Sequence, residues 1–312
     1  MNELKTPGIR FIVTSLCNYE CDYCHNEWEP KKESSSKLKK ELIKELIVSA
    51  KQLGAKEVDI TGGEPLLKMD RVEAILNIAQ DLDLWTNLTT NGYFLDKYKD
   101  RLSQASLKEI HVHIPSLDSE KYQSLMKGNA SLEKVTSALS NLNGLIKVVK
   151  ANIPIMQGIN DGEIPKMLDY FSSKGIIPRF VESMSTQSYT SSKQKNLDEA
   201  IRRKVGDMEL KGSYLWGINE YVSKGKSFET LRCICFDRKC DVCSETNFIH
   251  VDQDYKIRPC NLRPFKIQAE KGKAIDAFKK ALDFLNKQTD VPDQYKKLWG
   301  NYVPLALAGE TK

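Results

Sequence analysis

The stretch LCNYECDYCHNEWEP, residues 16–30, places Cys17, Cys21 and Cys24 in a C-x3-C-x2-C spacing. It follows the apolar run GIRFIVT, residues 8–14, which has the character of a β-strand. The three thiols therefore lie in a loop that leaves the first strand. Alone, the spacing leaves open a zinc site, an iron–sulfur cluster or no metal, although three thiols suit a 4Fe–4S cube better than the four-ligand tetrahedron of zinc.

Outward from this loop, strand-like runs alternate with helical runs. Such alternation predicts βα units and a parallel sheet. With right-handed crossovers, six strands form either an open doubly wound sheet or a partial barrel, and the pattern alone does not choose between them. The predicted strands are residues 8–14, 56–61, 84–90, 109–115, 146–155 and 176–184, with helices at 38–54, 71–82, 131–142 and 162–175 and a polar helix ending near residue 104.

The composition changes after the sixth strand. Residues 185–232 begin with a Ser/Thr/Gln/Lys-rich stretch and continue with a helical segment and an aromatic-bearing one. Residues 233–263 lack periodicity and carry five cysteines, and an amphipathic helix is predicted at 274–288. We therefore expect an α/β unit over residues 1–184, a connecting segment over 185–232 and a C-terminal domain over 233–312.

Charge and hydropathy narrow the class of protein. The 312 residues include 47 Lys and Arg against 42 Asp and Glu, a net charge of +5 without a polybasic block. This weak excess of positive charge suits binding of an anionic small molecule and does not by itself indicate binding of nucleic acid. No apolar run approaches the ~18 residues of a membrane span, and the N-terminal MNELKTPGIR lacks the apolar core of a signal peptide. We expect a cytoplasmic protein without membrane or nucleic-acid partners.

The eight cysteines fall in two groups, with none between residues 24 and 233. In a reducing compartment, clustered cysteines indicate metal ligands or catalytic groups rather than disulfides. Buried structural cysteines would be scattered through the core strands instead. The grouping predicts two metal sites, one near each end of the sequence, and the second group comprises Cys233, Cys235, Cys240, Cys243 and Cys260.

Two more polar motifs follow predicted strands. The second strand runs into TGGEP, residues 61–65, and the third into TTNG, residues 89–92. The carboxyl ends of parallel strands form the face where α/β proteins bind ligands. Gly62 and Gly63 allow a close approach of the backbone, and Glu64 either acts directly or holds its loop in shape. Three polar loops on one face predict a binding site there.

This combination resembles the radical SAM enzymes, which are marked by a C-x3-C-x2-C loop with an aromatic residue before the last cysteine, here Tyr23, and by a GGEP-type motif. The resemblance implies an α/β fold, a partial (β/α)6 TIM-type barrel. It also implies that Cys17, Cys21 and Cys24 hold a 4Fe–4S cluster whose open iron binds S-adenosylmethionine (SAM). Reductive cleavage gives methionine and a 5′-deoxyadenosyl radical that abstracts hydrogen from substrate. An electron donor such as flavodoxin or ferredoxin is implied as a partner.

Within that family, the chain is similar to the GTP 3′,8-cyclases of molybdenum-cofactor biosynthesis. The similarity runs through RFIVTSLCNYECDYC, LGAKEVDITGGEPLLKMD, LTTNGYFL, VVKANIPIMQGINDGEI and RFVESM, and resumes at CDVC and KIRPCN. It implies a second 4Fe–4S cluster on Cys240, Cys243 and Cys260, facing the substrate from a C-terminal auxiliary-cluster domain. A zinc clip is the alternative. A fourth thiolate from Cys233 or Cys235 would close the cluster and give it an electron-transfer or structural role.

The resemblance also assigns residues around both ligands. His113 replaces a serine of the cyclases and is either a contact of the SAM ribose or a histidine that lines the barrel. The implied SAM contacts are Tyr23, Gly62, Gly63, Glu64, His113 and Met184, and the implied substrate contacts are Arg10, Thr90, Lys150 and Arg179.

Three departures from the cyclase pattern concern GTP. Asp59 replaces the arginine that precedes TGGEP, residues 244–247 lack the usual basic pair, and the chain ends GETK instead of Gly-Gly. A triphosphate favours bidentate arginines, so the first two losses point away from GTP, and the missing Gly-Gly end points away from the later chemistry of the cyclases. We therefore expect an enzyme that abstracts hydrogen from another nucleotide or a small phosphorylated metabolite and leads it to cyclisation, C–C bond formation or rearrangement.

Three alternatives stay open at this point. One is a genuine GTP 3′,8-cyclase. Another is a peptide maturase that uses the auxiliary cluster, although the few residues before the first strand leave no room for a leader-binding extension. The third is a zinc-binding interaction module without catalysis. The resemblance is compatible with a homodimer, and it identifies neither the substrate nor the product.

Overall fold

A computed structural model describes residues 6–24, 31–34, 36–182, 197–214, 217–232, 248–260 and 265–287. Its centre is a sheet in which six parallel strands lie side by side in chain order. The parallel α/β sheet predicted from the sequence is therefore confirmed. The strands are β1 (Gly8–Ile12), β2 (Glu57–Thr61), β3 (Trp85–Thr90), β4 (Glu109–His113), β5 (Val148–Ile155) and β6 (Ile177–Glu182).

Helices connect these strands and cover one face of the sheet. In the first, α1, buried Leu42, Leu46 and Ala50 recur at the spacing of one helical face. The fourth, α4, was missed by the sequence reading because it is only eight residues long and mixes polar with apolar residues; the Asp118 carboxylate caps it by accepting from Lys121 N. The helices are α1 (Lys40–Gln52), α2 (Met69–Asp81), α3 (Leu95–Gln104), α4 (Ser119–Met126), α5 (Leu132–Ser140) and α6 (Ile164–Ser173).

Further strands extend the sheet on both sides. An antiparallel meander joins β6 through β9, and a second antiparallel set joins β1 through β10, giving twelve strands among the described residues. The sequence reading missed these strands because they carry no long apolar run and do not alternate with helical runs. They are β7 (Glu209–Tyr214), β8 (Ile218–Ser223), β9 (Lys226–Leu231), β10 (Ile249–Val251), β11 (Lys256–Arg258) and β12 (Ile267–Gln268), with helices α7 (Leu197–Val205) and α8 (Ala274–Asn286).

The predicted domain division remains a prediction. Its boundaries at 184/185 and 232/233 touch residues outside the described ranges. Both later segments nevertheless pair with the central sheet, because β9 lies parallel to β6 and β10 lies parallel to β1.

The central strands alternate between apolar and polar side chains. Ile9, Ile60, Leu88 and Ile153, for example, are fully buried in the core beneath the helices. Parallel strands covered on both faces usually carry continuous apolar runs, so this alternation gives the sheet a second, polar face. By register, the polar face comprises Arg10, Glu57, Asp59, Asn87, Glu109, His111, His113, Lys150, Asn152, Arg179 and Glu229.

A turn near the C-terminal strands fastens the loop that follows β1. The Gln253 side chain accepts from Ser15 N at 3.0 Å and donates to Lys32 O at 3.3 Å. The Arg71 guanidinium donates to Val13 O at 3.1 Å and to Gln253 O at 2.9 Å. The Gln253 side-chain bonds tie the cysteine-bearing loop to a residue more than two hundred positions away in sequence.

Among the helices that the structure describes, none is long and apolar enough to cross a membrane.

Ile153→Ala should lower the free energy of unfolding by ~2–5 kcal/mol, because Ile153 is fully buried in the central strand β5 and its truncation leaves a cavity. Leu210→Ala is the matched control: Leu210 is 52% exposed, and the change should stay within ~0.5 kcal/mol. Urea titration measures both. Equal effects at the two positions would contradict the assignment of the core.

Candidate active site

The loop after β1 lies directly against the two glycines after β2. Val13 N donates to Thr61 O at 3.0 Å, and Gly63 N donates to Thr14 O at 2.7 Å. A Cβ on Gly63 would stand 2.2 Å from Leu16 O, and one on Gly62, whose φ is +155°, would stand 2.4 Å from Thr14 O. The glycines are therefore required because the backbone of the cysteine loop occupies the space that any side chain would need.

Glu64 joins the ends of β2 and β3. Its fully buried carboxylate accepts from Leu66 N at 2.9 Å, from the Thr90 hydroxyl at 2.8 Å and from Asn91 N at 2.8 Å. Burial raises the pKa of Glu64 to about 7, although these hydrogen bonds act in the opposite direction. Of the two roles that the sequence left open, these contacts are those of a residue that holds its loop in shape.

Asn91 is a site residue that the sequence reading did not single out. Its side-chain nitrogen Nδ2 donates to Asn18 Oδ1 at 2.9 Å and lies 3.7 Å from Cys17 Sγ. Its side-chain oxygen Oδ1 accepts from Tyr93 N at 3.0 Å. The available signal was the TTNG motif after the third strand, which the sequence reading counted among the polar loops of the site without assigning a role to Asn91.

The other flank of the cysteine loop rests on the end of α4. Glu20 N donates to Met126 O at 3.2 Å, and Asp22 N donates to Leu125 O at 3.1 Å. The Tyr23 hydroxyl lies 2.9 Å from the Met126 sulfur. The loop is thus fixed by backbone contacts on both sides, and its aromatic residue before the last cysteine faces the body of the protein.

The three thiols of this loop differ in exposure. Cys17 and Cys21 are half-buried, whereas Cys24 is exposed. Burial raises the pKa of both the Cys17 and the Cys21 thiol. In the part of the chain that the structure describes, no three Cys, His, Asp or Glu side chains stand in a ready-made metal arrangement.

The donor set nevertheless fits an iron–sulfur cluster. Three thiols on one anchored loop supply one ligand each for three iron corners. Coordination to a metal deprotonates a thiol outright, which reverses the penalty that burial places on the thiolate.

The polar face holds a closed network of charges. Lys150 Nζ lies 2.8 Å from Glu109 and 2.9 Å from Glu229, and Arg179 Nε lies 2.6 Å from Glu229. His111 Nε2 lies 2.6 Å from Glu109. Burial opposes ionisation of Glu109, yet His111 and Lys150 hold its pKa well below the ordinary value. Lys150 and Arg179 are therefore already neutralised by neighbouring carboxylates.

Arg10 and Asp59 form a second ion pair. Arg10 Nε lies 2.5 Å from Asp59 Oδ2, so each neutralises the other. Next to it, Glu57 accepts from Asn87 Nδ2 at 3.0 Å, and burial together with Asp59 raises the pKa of Glu57 to about 7.

The structure separates the residues that the sequence grouped as substrate contacts. Arg10, Lys150 and Arg179 lie on the polar face, whereas Thr90 points to the other face and is bound to Glu64. His113 lies at the end of β4 on the polar face, opposite Asn152. Cys260 is half-buried and follows β11, while Met184, Cys233, Cys235, Cys240 and Cys243 lie outside the described residues.

Comparison with known protein families decides which family the chain belongs to. The family model described as the radical SAM superfamily matches residues 11–171, slightly more than half of the chain. The chain belongs to the radical SAM superfamily. It is therefore an enzyme that uses SAM and a 4Fe–4S cluster, and the predicted partial barrel of α/β class is confirmed.

The similar proteins place this radical SAM enzyme in the GTP 3′,8-cyclase branch. A probable GTP 3′,8-cyclase of Archaeoglobus fulgidus is 30% identical over 273 residues, covering 82% of this chain and 86% of the relative. One of Methanosarcina mazei is 31% identical over 268 residues, covering 83% of this chain and 78% of the relative.

Solved structures agree on the fold of this radical SAM enzyme. Streptococcus suis SuiB bound to S-adenosylmethionine superposes with a TM-score of 0.69 at 14% identity, covering 91% of this chain and 68% of that one. A structure of anSMEcpe with bound AdoMet gives a TM-score of 0.59 at 15% identity, covering 93% and 86%. At these identities the likeness concerns the fold alone.

Gly63→Ala should abolish SAM binding, because the added Cβ would push the cysteine loop away from the end of β2. Gly162→Ala is the matched control, since a Cβ there meets no atom within 4 Å. Equilibrium dialysis of labelled SAM against the anaerobically reconstituted proteins measures the effect. Wild-type affinity in Gly63→Ala would contradict the role of this contact.

Glu57→Gln should remove a pH dependence of stability. Because the pKa of Glu57 is raised to about 7 from 4.5, the folded state holds a proton between these values that the unfolded chain has lost. The wild-type free energy of unfolding therefore falls as pH rises through this window. The variant lacks this loss, so the difference in free energy of unfolding moves in favour of Glu57→Gln. Urea titrations at about pH 5 and about pH 8 measure this difference.

Glu45→Gln supplies a control of opposite sign. Backbone N–H groups of Gly272 and Ala274 lower the pKa of Glu45, so its contribution to stability is present at high pH and is lost as pH falls. A Glu57→Gln effect that stays constant with pH, or follows the sign of Glu45→Gln, would contradict the raised pKa.

Proposed function

We propose that this radical SAM enzyme abstracts hydrogen from a nucleotide or small phosphorylated metabolite held against the polar face, and that cyclisation, C–C bond formation or rearrangement follows. The observation that carries the proposal is the position of the polar face. The polar face begins below the anchored cysteine loop and continues across the parallel strands. The similar proteins are probable cyclases, which supports a reaction of this class.

Within this proposal, Cys17, Cys21 and Cys24 hold the SAM-binding cluster. When bound, the cluster and SAM supply a 5′-deoxyadenosyl radical after one electron from a donor such as flavodoxin or ferredoxin. The chain's own part is to hold the loop still, which the Gly63 and Asp22 backbone bonds support. The SAM contacts proposed from the family pattern are Tyr23, Gly62, Gly63, Glu64, His113 and Met184.

The charge of the polar face bears on the substrate. Lys150 and Arg179 are each bound to Glu229, and Arg10 is bound to Asp59. A triphosphate needs cations that are not already compensated, since each displaced carboxylate would lose a buried partner. The ion pairs therefore support a substrate of low charge, such as a nucleoside or monophosphate, over GTP.

A second cluster at the far end of the polar face completes the proposal. Strand β11 runs antiparallel to β10, which runs parallel to β1, so Cys260 follows β11 at the end of the sheet where β1 begins. The SAM site lies at the opposite end of the strands. This supports an auxiliary cluster on Cys240, Cys243 and Cys260 that faces the substrate from the other side.

Reduced, reconstituted enzyme should release 5′-deoxyadenosine from SAM, and its substrate should accelerate that release. Cys24→Ala should lower the rate at least about 100-fold, because the cluster would lose one of its three thiolates. Anaerobic assay with dithionite and a panel of nucleosides, nucleotides and peptides measures the rate. Release that is stimulated only by peptides would overturn the substrate class, and equal release by Cys24→Ala would overturn the cluster assignment.

Iron analysis tests the second cluster separately. Wild type should carry about eight irons and Cys260→Ala about four, since each 4Fe–4S cluster contributes four. Cys24→Ala gives the matching loss at the other site. A wild-type content of about four irons that Cys260→Ala leaves unchanged would contradict the auxiliary cluster.

A further inference from the structure

A lysine-rich segment follows the cysteine loop and leads into α1. Residues 31–40, KKESSSKLKK, hold five lysines and one glutamate, a net charge of +4 against +5 for the whole chain. The lysines occur in runs of at most two, and all five are exposed. The described part of this stretch, residues 31–34 and 36–40, is the lysine segment. Since the rest of the chain is close to neutral, the positive charge of the protein is concentrated at this place on its surface.

The lysine segment contacts the loop that carries the thiols. Lys32 N donates to Ser15 Oγ at 3.0 Å, and the Ser15 hydroxyl lies 2.9 Å from Lys32 O, to which it can donate in turn. Ser15 stands two residues before Cys17, the first thiol of the cysteine loop. The positive surface therefore lies beside the radical-generating end of the sheet.

The backbone of the lysine segment is fixed from beneath at further points. The Tyr255 hydroxyl donates to Lys37 O at 3.1 Å and accepts from Lys39 N at 2.9 Å. The Arg71 guanidinium donates to Ser36 O at 3.0 Å. Because these backbone groups bind toward the protein, the exposed lysine side chains extend from an ordered surface.

Most of these lysines are not compensated by acidic residues. Lys32 Nζ lies 3.9 Å from Asp254 Oδ2, a long ion pair at the surface that contributes little. The other four form no ion pair with any residue in the described ranges, and they are Lys31, Lys37, Lys39 and Lys40. The surface therefore keeps its positive charge for a partner.

The stability of α1 does not explain these lysines. The helix begins at Lys40, and Lys39 stands at its N-cap without a capping side-chain hydrogen bond. The N-terminus of a helix carries partial positive charge, so cations there are unfavourable, and Ser, Thr, Asp or Asn is preferred at the N-cap. A local rule of helix formation is broken here, which is typical of residues that serve a function.

Two exposed leucines border the same charges. Leu38 is 38% exposed and lies within the lysine segment, and Leu67 is 39% exposed and follows the GGEP motif. Lys68 Nζ lies 3.2 Å from Glu33 Oε1, which joins the two segments. Apolar side chains with a charged rim are the composition of a protein interface.

We infer that the lysine segment, together with Leu67 and Lys68, is the docking surface for an acidic protein that donates one electron to the cluster. This inference rests on the proposed function in one respect, that an external donor reduces the cluster on the cysteine loop. Electron-transfer partners meet through small interfaces, and complementary charge mainly raises the rate of their encounter. In the transfer step the donor loses one electron and the cluster gains it, and no bond forms or breaks.

The test is stopped-flow mixing of the reconstituted, SAM-bound full chain with the hydroquinone form of an acidic flavodoxin. Loss of one electron gives the flavin semiquinone, whose absorbance is followed. The variant Lys37→Gln/Lys39→Gln/Lys40→Gln should lower the second-order rate constant at least about 10-fold at low ionic strength. The difference should shrink to about 2-fold or less at about 1 M salt, where the Debye length is about 3 Å.

The matched control is Lys56→Gln/Lys147→Gln/Lys174→Gln. These three lysines are exposed and lie one to three residues before β2, β5 and β6, at the end of the sheet opposite the cysteine loop. The control removes the same charge, and its rate constant should stay within about 2-fold of wild type, because charges more than a Debye length from the contact are screened.

Two further measurements separate docking from a structural role. Lys37→Arg/Lys39→Arg/Lys40→Arg keeps the charge and should keep the wild-type rate constant. Dithionite, a small reductant, needs no docking surface, so dithionite-driven release of 5′-deoxyadenosine should be the same in every variant. The glutamine variant should melt at no lower temperature than wild type, because it removes cations from the N-terminal end of α1.

Three results would overturn the inference. One is an equal rate of flavodoxin oxidation by wild type and the glutamine variant, or equal slowing by the control. Another is a cluster that dithionite reduces and flavodoxin does not. The third is an unchanged flavodoxin rate with loss of binding to phosphatidylserine vesicles, which would assign the surface to lipid headgroups. The proposed function fails on a different readout: a protein that accepts electrons from flavodoxin through this surface but never releases 5′-deoxyadenosine would retain the docking surface and remove the radical reaction.

Discussion

The close backbone contact between Gly62–Gly63 and Thr14–Leu16 is the constraint on which the site depends. It continues the pairing of β1 and β2 beyond their ends, with Gly63 N donating to Thr14 O at 2.7 Å and Glu64 N to Leu16 O at 2.8 Å. A loop that carries three thiols would otherwise be free to adopt many conformations, at a cost in entropy when it binds a cluster. The two glycines thus hold the cysteine loop against the end of β2, and Glu64 links the end of β2 to β3.

The same sheet gives this enzyme a polar face whose charges are balanced locally. Lys150 and Arg179 are cations of the kind that bind phosphate, but they already form ion pairs with Glu109 and Glu229. Arg10 does the same with Asp59. Removing one partner of a buried ion pair leaves an uncompensated charge, which is why these pairs support the proposed substrate of low charge. The ion pairs on the polar face are the observation that bears on the proposed substrate.

The sequence was sufficient for the six central strands, because strand-like runs alternate regularly with helical runs and the first three strands also end in a polar motif. It was insufficient for α4 and for β7 to β12, whose short segments carry little periodicity and are fixed by pairing with β1 and β6. Within the site, the motifs identified Gly63 and Glu64 but not what they contact. The partners of Lys150 and Arg179 were invisible in the sequence, because Glu229 lies some fifty residues from Arg179 and on a strand that was not predicted.

Electron paramagnetic resonance of the reduced, reconstituted protein tests the central claim most directly, that the loop of Cys17, Cys21 and Cys24 holds a cluster whose open iron binds SAM. The account predicts that addition of SAM shifts the spectrum of the reduced cluster, and that Cys260→Ala, which leaves this loop intact, retains the shift. A reduced spectrum that SAM does not change, in wild type and in Cys260→Ala alike, would contradict the account.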